Sequence, residues 1–290
     1  MSFLSGENWI PFCDEAYWVP GRAMNPAPIE GRDGSLIYCH TDRIWELFRA
    51  LRMRPGRFGV VTAESDHSVT AQMFAARPWN VVEWFSVNAL APDPRCHVLP
   101  IGLANESCSR TIKPEQLREA VTPLPERPLW LYVNHRVETN PTVRQRVYDH
   151  FEIGAREGWV TLRQPSPVGE TEDYLNELRR HRFICAPPGN GVDTHRMWEA
   201  LYSGTIPIVL RSKVTETFAD LPIVIVNDYS AVNLPFLKSQ LERILSREWN
   251  REKLGLDFWN HELQFARTRI QRTSRLNLLT QWLGRKAGKL

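Results

Sequence analysis

The order of segments predicts an α/β protein made of two doubly wound domains, each a parallel sheet with helices on both faces. Three observations predict it. From about residue 34 onward, short β-rich apolar runs alternate with amphipathic segments of helical period. Runs such as "IPIVL" and "LPIVIV" are apolar at almost every position, as strands covered on both faces are. A chain of 290 residues, 42% of them hydrophobic, also has enough apolar material for two such cores.

In the first half, strands are expected at Ser35 to Cys39, Phe58 to Thr62, Val81 to Val87 and His97 to Ile101. Helices are expected at Asp42 to Met53, Ser68 to Ala76 and Pro114 to Val121. Residues 1–33 are rich in turn formers and read as an irregular lead-in. The Pro-rich "TPLPERP", Thr122 to Pro128, interrupts the pattern and is taken as the linker. The alternation then restarts, with strands at Leu129 to Val133, Trp159 to Arg163, Arg182 to Ala186, Ile206 to Leu210 and Pro222 to Val226. Helices fall at Pro141 to Arg156, Thr171 to Arg180, Thr194 to Ser203 and Pro235 to Glu248. The expected domains are therefore 1–125 and 126–265, followed by a C-terminal basic helix, 266–290.

Composition removes several function classes. The net charge of +3 is small for the length, so a nucleic-acid scaffold is not expected. Five scattered cysteines without a C-x-x-C pair argue against a disulfide framework and a zinc knuckle. No stretch has the apolar length of a membrane span, and the N-terminus lacks signal-peptide character, so a cytoplasmic protein is expected. Arg267, Arg269, Arg272, Arg275, Arg285, Lys286 and Lys289 crowd the C-terminus among leucines and Trp282. This reads either as a solvated final helix or as a basic amphipathic surface for peripheral contact with anionic lipid or a lipid-linked acceptor.

The chemistry concentrates between Phe183 and Leu210, "FICAPPGNGVDTHRMWEALYSGTIPIVL". A strand runs into a proline–glycine turn and then a helix N-terminus, which aims free backbone N–H groups and the positive helix end at one spot. That spot suits a phosphate. Gly189 and Gly191 permit close backbone approach, with Asn190 between them, and Asp193 is a good N-cap. Thr194 begins the helix, and His195 and Arg196 fall in its first turn, within reach of diphosphate oxygens. Glu199 lies one turn further and can accept from the two hydroxyls of a ribose. The plain alternative is an N-capped helix whose Arg196 and Glu199 form a surface pair.

Competing signatures fail. Thr194 stands where a dinucleotide fingerprint needs its third glycine, and no P-loop, H-E-x-x-H or G-x-S-x-G occurs. There is also no D-x-D for manganese, so neither a metal nor another cofactor is expected beside the substrates.

"PGNGVDTHRMWEALYSGTIPIVL" resembles the donor-binding signature of exostosin-like (GT47-type) glycosyltransferases. It matches at Pro187, Gly189, Thr194, Arg196, Glu199, Ala200, Gly204, Ile206 and Pro207. Weaker echoes extend over roughly Phe58 to Val226. The resemblance implies two Rossmann-like domains facing a cleft, the GT-B arrangement, with an N-terminal acceptor-side domain and the nucleotide sugar held by the C-terminal one. It also implies an inverting, metal-independent transfer from a nucleotide donor, expected to be a UDP-sugar, to a glycan or lipid-linked acceptor. Arg196 would pair with the diphosphate and Glu199 with the ribose. The chain departs from the pattern at Pro188, where many relatives carry a basic residue, and at Thr205, where many carry cysteine. Arg136 is expected to supply the cation that Pro188 lacks.

Such a transfer needs a base for the acceptor hydroxyl. "AESDHS" follows the second expected strand, and Asp66 is the first candidate, with His67 and Glu64 as substitutes. The alternative is that Ser65 or Asp66 caps the next helix. "LPIGLANES", with Gly102, Asn105 and Glu106, is a second candidate wall, as are Asn134, His135 and Asn140. A non-catalytic nucleotide- or glycan-binding scaffold of the same fold remains the alternative function.

Overall fold

The computed structural model describes residues 2–19, 27–106, 108, 112–117, 121–165 and 171–286. Its contacts divide the chain into two units. Gly6–Pro100 joins Gly255–Leu290 in the first, and Phe3–Ser5 joins Ile101–Leu254 in the second.

The first unit is a five-stranded parallel sheet in the order β1-β2-β3-β4-β5. The strands are β1 (Glu15–Trp18), β2 (Leu36–His40), β3 (Phe58–Ala63), β4 (Val81–Ser86) and β5 (Cys96–Val98). Every residue of β3 and β4 is buried, because helices cover both faces. On one face Phe48 of α1 (Ile44–Leu51) and Phe74 of α2 (Ala71–Ala75) meet the Trp84 ring, at centroid distances of 5.2 and 6.1 Å. The other face carries the long helix near the C-terminus, Leu256–Arg272, whose Arg269 Nε donates to Glu83 of β4 at 3.2 Å.

The second unit is also five-stranded and parallel, in the order β10-β9-β8-β6-β7. It begins with the short α3 (Pro114–Leu117) and continues as β6 (Leu129–Asn134), α4 (Pro141–Arg156), β7 (Val160–Arg163), α5 (Thr171–Arg180) and β8 (His181–Cys185). There follow α6 (His195–Tyr202), β9 (Ile206–Leu210), α7 (Lys213–Thr217), β10 (Val224–Val226) and α8 (Leu234–Leu245). Alternation along the strands builds two cores. Leu131, Val133, Phe183 and Ile208 face Val147, Phe151, Leu237 and Ile244, while Tyr132 and Ile184 face Leu175, Leu178 and Ala200. The remaining helices, α9 (Leu256–Arg272) and α10 (Arg275–Lys286), belong to the first unit.

The expected α/β class with two parallel sheets is therefore present, but the divisions fall elsewhere. Leu103, Ile112 and Leu117 share a core with Tyr132 and Ile184, so the chain enters the second unit ahead of the Pro-rich stretch. That stretch is fastened, not free. The buried Arg127 guanidinium donates to the carbonyls of Thr122, Leu178, His181 and Ser203 and to the Thr205 hydroxyl. At the other end α9 starts before residue 266 and returns to the first sheet. The lead-in is also ordered in part. β1 pairs with β2, and Asp14 Oδ2 accepts from Leu36 N–H at 2.8 Å. Of the helix expected at Pro114 to Val121, residues 118–120 lie outside the described residues.

Candidate functional site

The second sheet reverses its strand order between β6 and β8: the chain leaves β6 outward to β7, then crosses back to lay β8 on the other side of β6. Crossovers that leave a parallel sheet in opposite directions open a crevice beyond the carboxyl ends of the two strands. The first sheet runs in sequential order and has no such reversal. The loops bounding the crevice are Asn134–Asn140 and Ala186–Thr194, which contain Arg136, Gly189, Asn190, Gly191 and Thr194.

Arg144, in the first turn of α4, ties these loops together. It is 6% exposed. Its Nε donates to Pro188 O at 3.0 Å and Nη2 to Pro187 O at 3.1 Å, while Nη1 donates to Arg136 O at 2.9 Å and to the Thr139 hydroxyl. Asn140 Nδ2 adds a bond to Gly189 O at 3.2 Å. A Cβ on Gly189 would lie 2.8 Å from Arg144 Nη2, so glycine is needed for the guanidinium to seat. Burial pushes the Arg144 guanidinium down to about 10, with the Arg196 charge adding to the shift, so it stays cationic at neutral pH.

Arg196 is the second cation, and among the described residues it has no ion-pair partner. Its Nε is buried with no hydrogen-bond partner. The surface pair with Glu199 does not form, because Glu199 Oε2 instead accepts from Tyr174 of α5 at 2.9 Å. Burial and the neighbouring Glu199 push the Tyr174 hydroxyl up, which keeps it a donor. Thr194 occupies the N-cap of α6 but its side chain makes no cap bond, and its Oγ1 is buried without a partner. The helix N-terminus is thus open to an acceptor.

Asp193 is not the N-cap. Its carboxylate is 4% exposed and accepts from Ile101 N–H at 2.9 Å, Trp198 Nε1 at 3.0 Å and Thr194 N–H at 2.9 Å. Burial raises it to about 6. His195 turns one nitrogen inward, with Nδ1–H donating to Gly102 O at 2.8 Å, so only Nε2 is left for a ligand. Gly102 has φ +68°, and a Cβ there would meet Leu4 O at 2.2 Å. The close approach that this glycine permits is thus by Leu4, not by a sugar. His135 is fully buried; burial holds it down to about 3, and its Nε2 donates to Arg144 O at 3.1 Å. Its Nδ1 then points a lone pair into the interior with no partner. Arg136 has an exposed side chain and no ion pair among the described residues, and Asn190 is exposed at the loop tip.

In the first unit, Glu64, Asp66 and His67 share the loop after β3. His67 Nδ1 lies 3.0 Å from Asp42 Oδ1, and its side chain is 74% exposed. Ser65 Oγ donates to the same carboxylate oxygen. Glu64 sits in the left-handed region at φ 66°, an uncommon state for a residue with a side chain. Neither Ser65 nor Asp66 caps α2, since the helix starts at Ala71 and Thr70 Oγ1 accepts from Met73 N–H. The alternative reading of these residues as helix caps is therefore removed. Among the described residues no group of three or more His, Cys, Asp or Glu is placed to hold a metal ion.

Comparison with known proteins leaves the family open. No protein-family model matches the chain, and no curated protein matches it. Several solved structures are similar to it at low identity. One, described as trehalose-6-phosphate from E. coli bound with UDP-2-fluoro glucose, is 12% identical over 85% of this chain and 74% of that one, with a TM-score of 0.44. The α,α-trehalose 6-phosphate synthase from Burkholderia multivorans is 14% identical over 88% and 72%, TM-score 0.38. TarM is 11% identical over 86% and 54%, TM-score 0.40. Similarity at this level carries nothing about chemistry, and the exostosin-like resemblance rests on the sequence, chiefly the Pro187 to Pro207 residues.

Sequence reasoning missed Arg144 and Tyr174. Arg144 had a visible signal: a cation in the first turn of a helix opposes the helix dipole, so it is there for another reason. Tyr174 had none, because its partner Glu199 is distant in sequence.

Proposed function

We propose that this protein is a glycosyltransferase whose second unit binds a nucleoside-diphosphate sugar, UDP-linked, at the crevice beyond β6 and β8. The observation that supports the reading is Arg196, a cation without an ion-pair partner, beside the buried Arg144 at the open end of α6. Two guanidiniums without carboxylates call for an anion, and a diphosphate carries the charge to match. Glu199, steadied by Tyr174, is the acceptor for ribose hydroxyls. Gly189, Asn190, Gly191, Thr194, His195 Nε2 and Arg136 complete the donor set.

In the reaction we propose, a hydroxyl oxygen of a glycan or lipid-linked acceptor attacks the anomeric carbon from the face opposite the diphosphate. The bond from that carbon to the diphosphate oxygen breaks, and its electron pair goes to the diphosphate, where the guanidiniums stabilise it. The transfer inverts configuration, and guanidinium charge serves in place of a divalent ion. The loop after β3 supplies the base, from Asp66, His67 and Glu64. His67 is favoured because Asp42 fixes its Nδ1 and leaves Nε2 outward.

The test is a thermal-shift panel of nucleoside diphosphates and their sugars on the full chain. A matched nucleotide at a hundred times its Kd adds about 2.7 kcal/mol, several degrees for a protein this size. Arg196→Met should keep the fold, since it removes a buried donor without a partner, and should lose the shift. No stabilisation of the wild type by any nucleotide refutes the reading.

A further inference from the structure

The last Asp or Glu in the chain is Glu262, and the residues after it carry seven Lys or Arg. The net charge of +3 therefore hides a stretch of +7 on a remainder of −4. Two of the seven are used within the first unit: Arg267 pairs with Asp14 at 3.1 Å and Arg269 with Glu83 at 3.2 Å. Arg272 is exposed and has no ion pair among the described residues. Arg275, Arg285 and Lys286 belong to α10 by sequence, and Lys289 lies outside the described residues.

The apolar stripe of α10 is wider than its seat. Leu278, 6% exposed, and Trp282 face Ala75, Pro78 and Trp79 of the same unit. Leu279 and Leu283 are the next residues along, turned by about 100° on the helix. They are 37% and 53% exposed. Two leucines one turn apart on an outward face, on a helix without a single acid, are costly to leave in water. No described helix is long and apolar enough to cross a membrane.

We infer that α10 lies against an anionic lipid surface, with Leu279 and Leu283 entering the acyl boundary and the net positive charge of the C-terminal stretch drawing the helix to the lipid phosphates. Charge complementarity selects a membrane over a symmetric pairing of this stretch with its own copy, which would bring like charges together. Insertion of two leucines alone is weak, and the cations provide the second attraction that stable peripheral binding requires.

The experiment is co-sedimentation of the full chain with extruded vesicles of phosphatidylcholine, with and without phosphatidylglycerol. Binding is expected only with the anionic lipid, and weaker as salt rises. Leu279→Glu with Leu283→Glu should reduce it by roughly tenfold or more, with the thermal midpoint unchanged because both side chains are exposed. Ile153→Glu, a still more exposed site on the second unit, should bind as wild type. Three results overturn the inference: no sedimentation with anionic vesicles, equal sedimentation with neutral ones, or a double variant that binds as wild type. A solution dimer dissolved by the double variant would assign the face to a second copy and also overturn it.

Discussion

Replacing Arg144 by alanine tests whether the two loops of the candidate site are held by one buried cation. The guanidinium donates to the carbonyls of Pro187, Pro188 and Arg136 and to the Thr139 hydroxyl. Removing it leaves three backbone acceptors in a buried space, each costing about 1–3 kcal/mol if it stays dry. Water entering the vacated volume re-pairs some of them, so the net loss is about 3–4 kcal/mol. At about 2–4 °C per kcal/mol for a chain this size, the midpoint should fall by roughly 10 °C. Circular dichroism melts measure the fall, and titration of UDP well below the midpoint should show at least a roughly tenfold weaker Kd as the Pro187–Gly189 turn relaxes. Arg144→Lys should recover part of the stability, because one ammonium keeps the charge but cannot span both loops. A melt for Arg144→Ala within about 1 °C of wild type would refute the reasoning, since a loss that small is not compatible with three orphaned carbonyls.

Asp193 gives a pH-dependent prediction. Burial raises its folded-state value to about 6, above the ordinary carboxylate range, so the folded protein holds that proton more tightly than the unfolded chain does. Its contribution is therefore fully present below the unfolded value and is lost as pH rises toward and past 6, a swing of about 3 kcal/mol. Urea titrations should show wild type losing that amount relative to Asp193→Asn between pH 3.5 and pH 7; parallel curves for the two proteins would count against it. For the loop after β3, His67→Gln should lower the release of UDP from a bound UDP-sugar by about a hundredfold or more, while Asp66→Asn changes it little. Asp42→Asn, which keeps the shape but removes the charge that holds His67 Nδ1, should fall between them. The reverse order of His67 and Asp66 would return the base to Asp66.

Much of the second unit was legible in the sequence because its signals are local. Asn140-Pro141 and the run of helix formers after it mark the start of α4, and Pro207 between apolar β-branched residues opens β9. The four residues of β1 carry no such signal: one is buried, and the strand is held by Asp14 and by pairing with residues beyond an intervening loop. α7 did have one, the capping box of Ser212 and Thr215, but five residues are too few to set a period. Domain limits failed for a different reason. Proline content reports backbone restriction and not freedom, and Arg127 converts the restricted stretch into part of a core.

The site shows the same division between what is local and what is not. Which side chains crowd the start of α6 follows from the sequence, but which of them are already used does not. Asp193 and His195 are occupied in part with fastening the loop to Ile101 and Gly102, and Arg144 of α4 fastens it to the segment after β6 through Pro187 O, Pro188 O and Arg136 O. Arg196, like Arg144, is placed beside another cation and given no acid, but unlike Arg144 it keeps a buried donor without a partner. A chain that only needed stability would gain from an apolar residue there, because a buried, unpaired donor costs free energy in every molecule without ligand. An arriving anion would offset that cost, and this is the physical argument for the proposed donor diphosphate at Arg196.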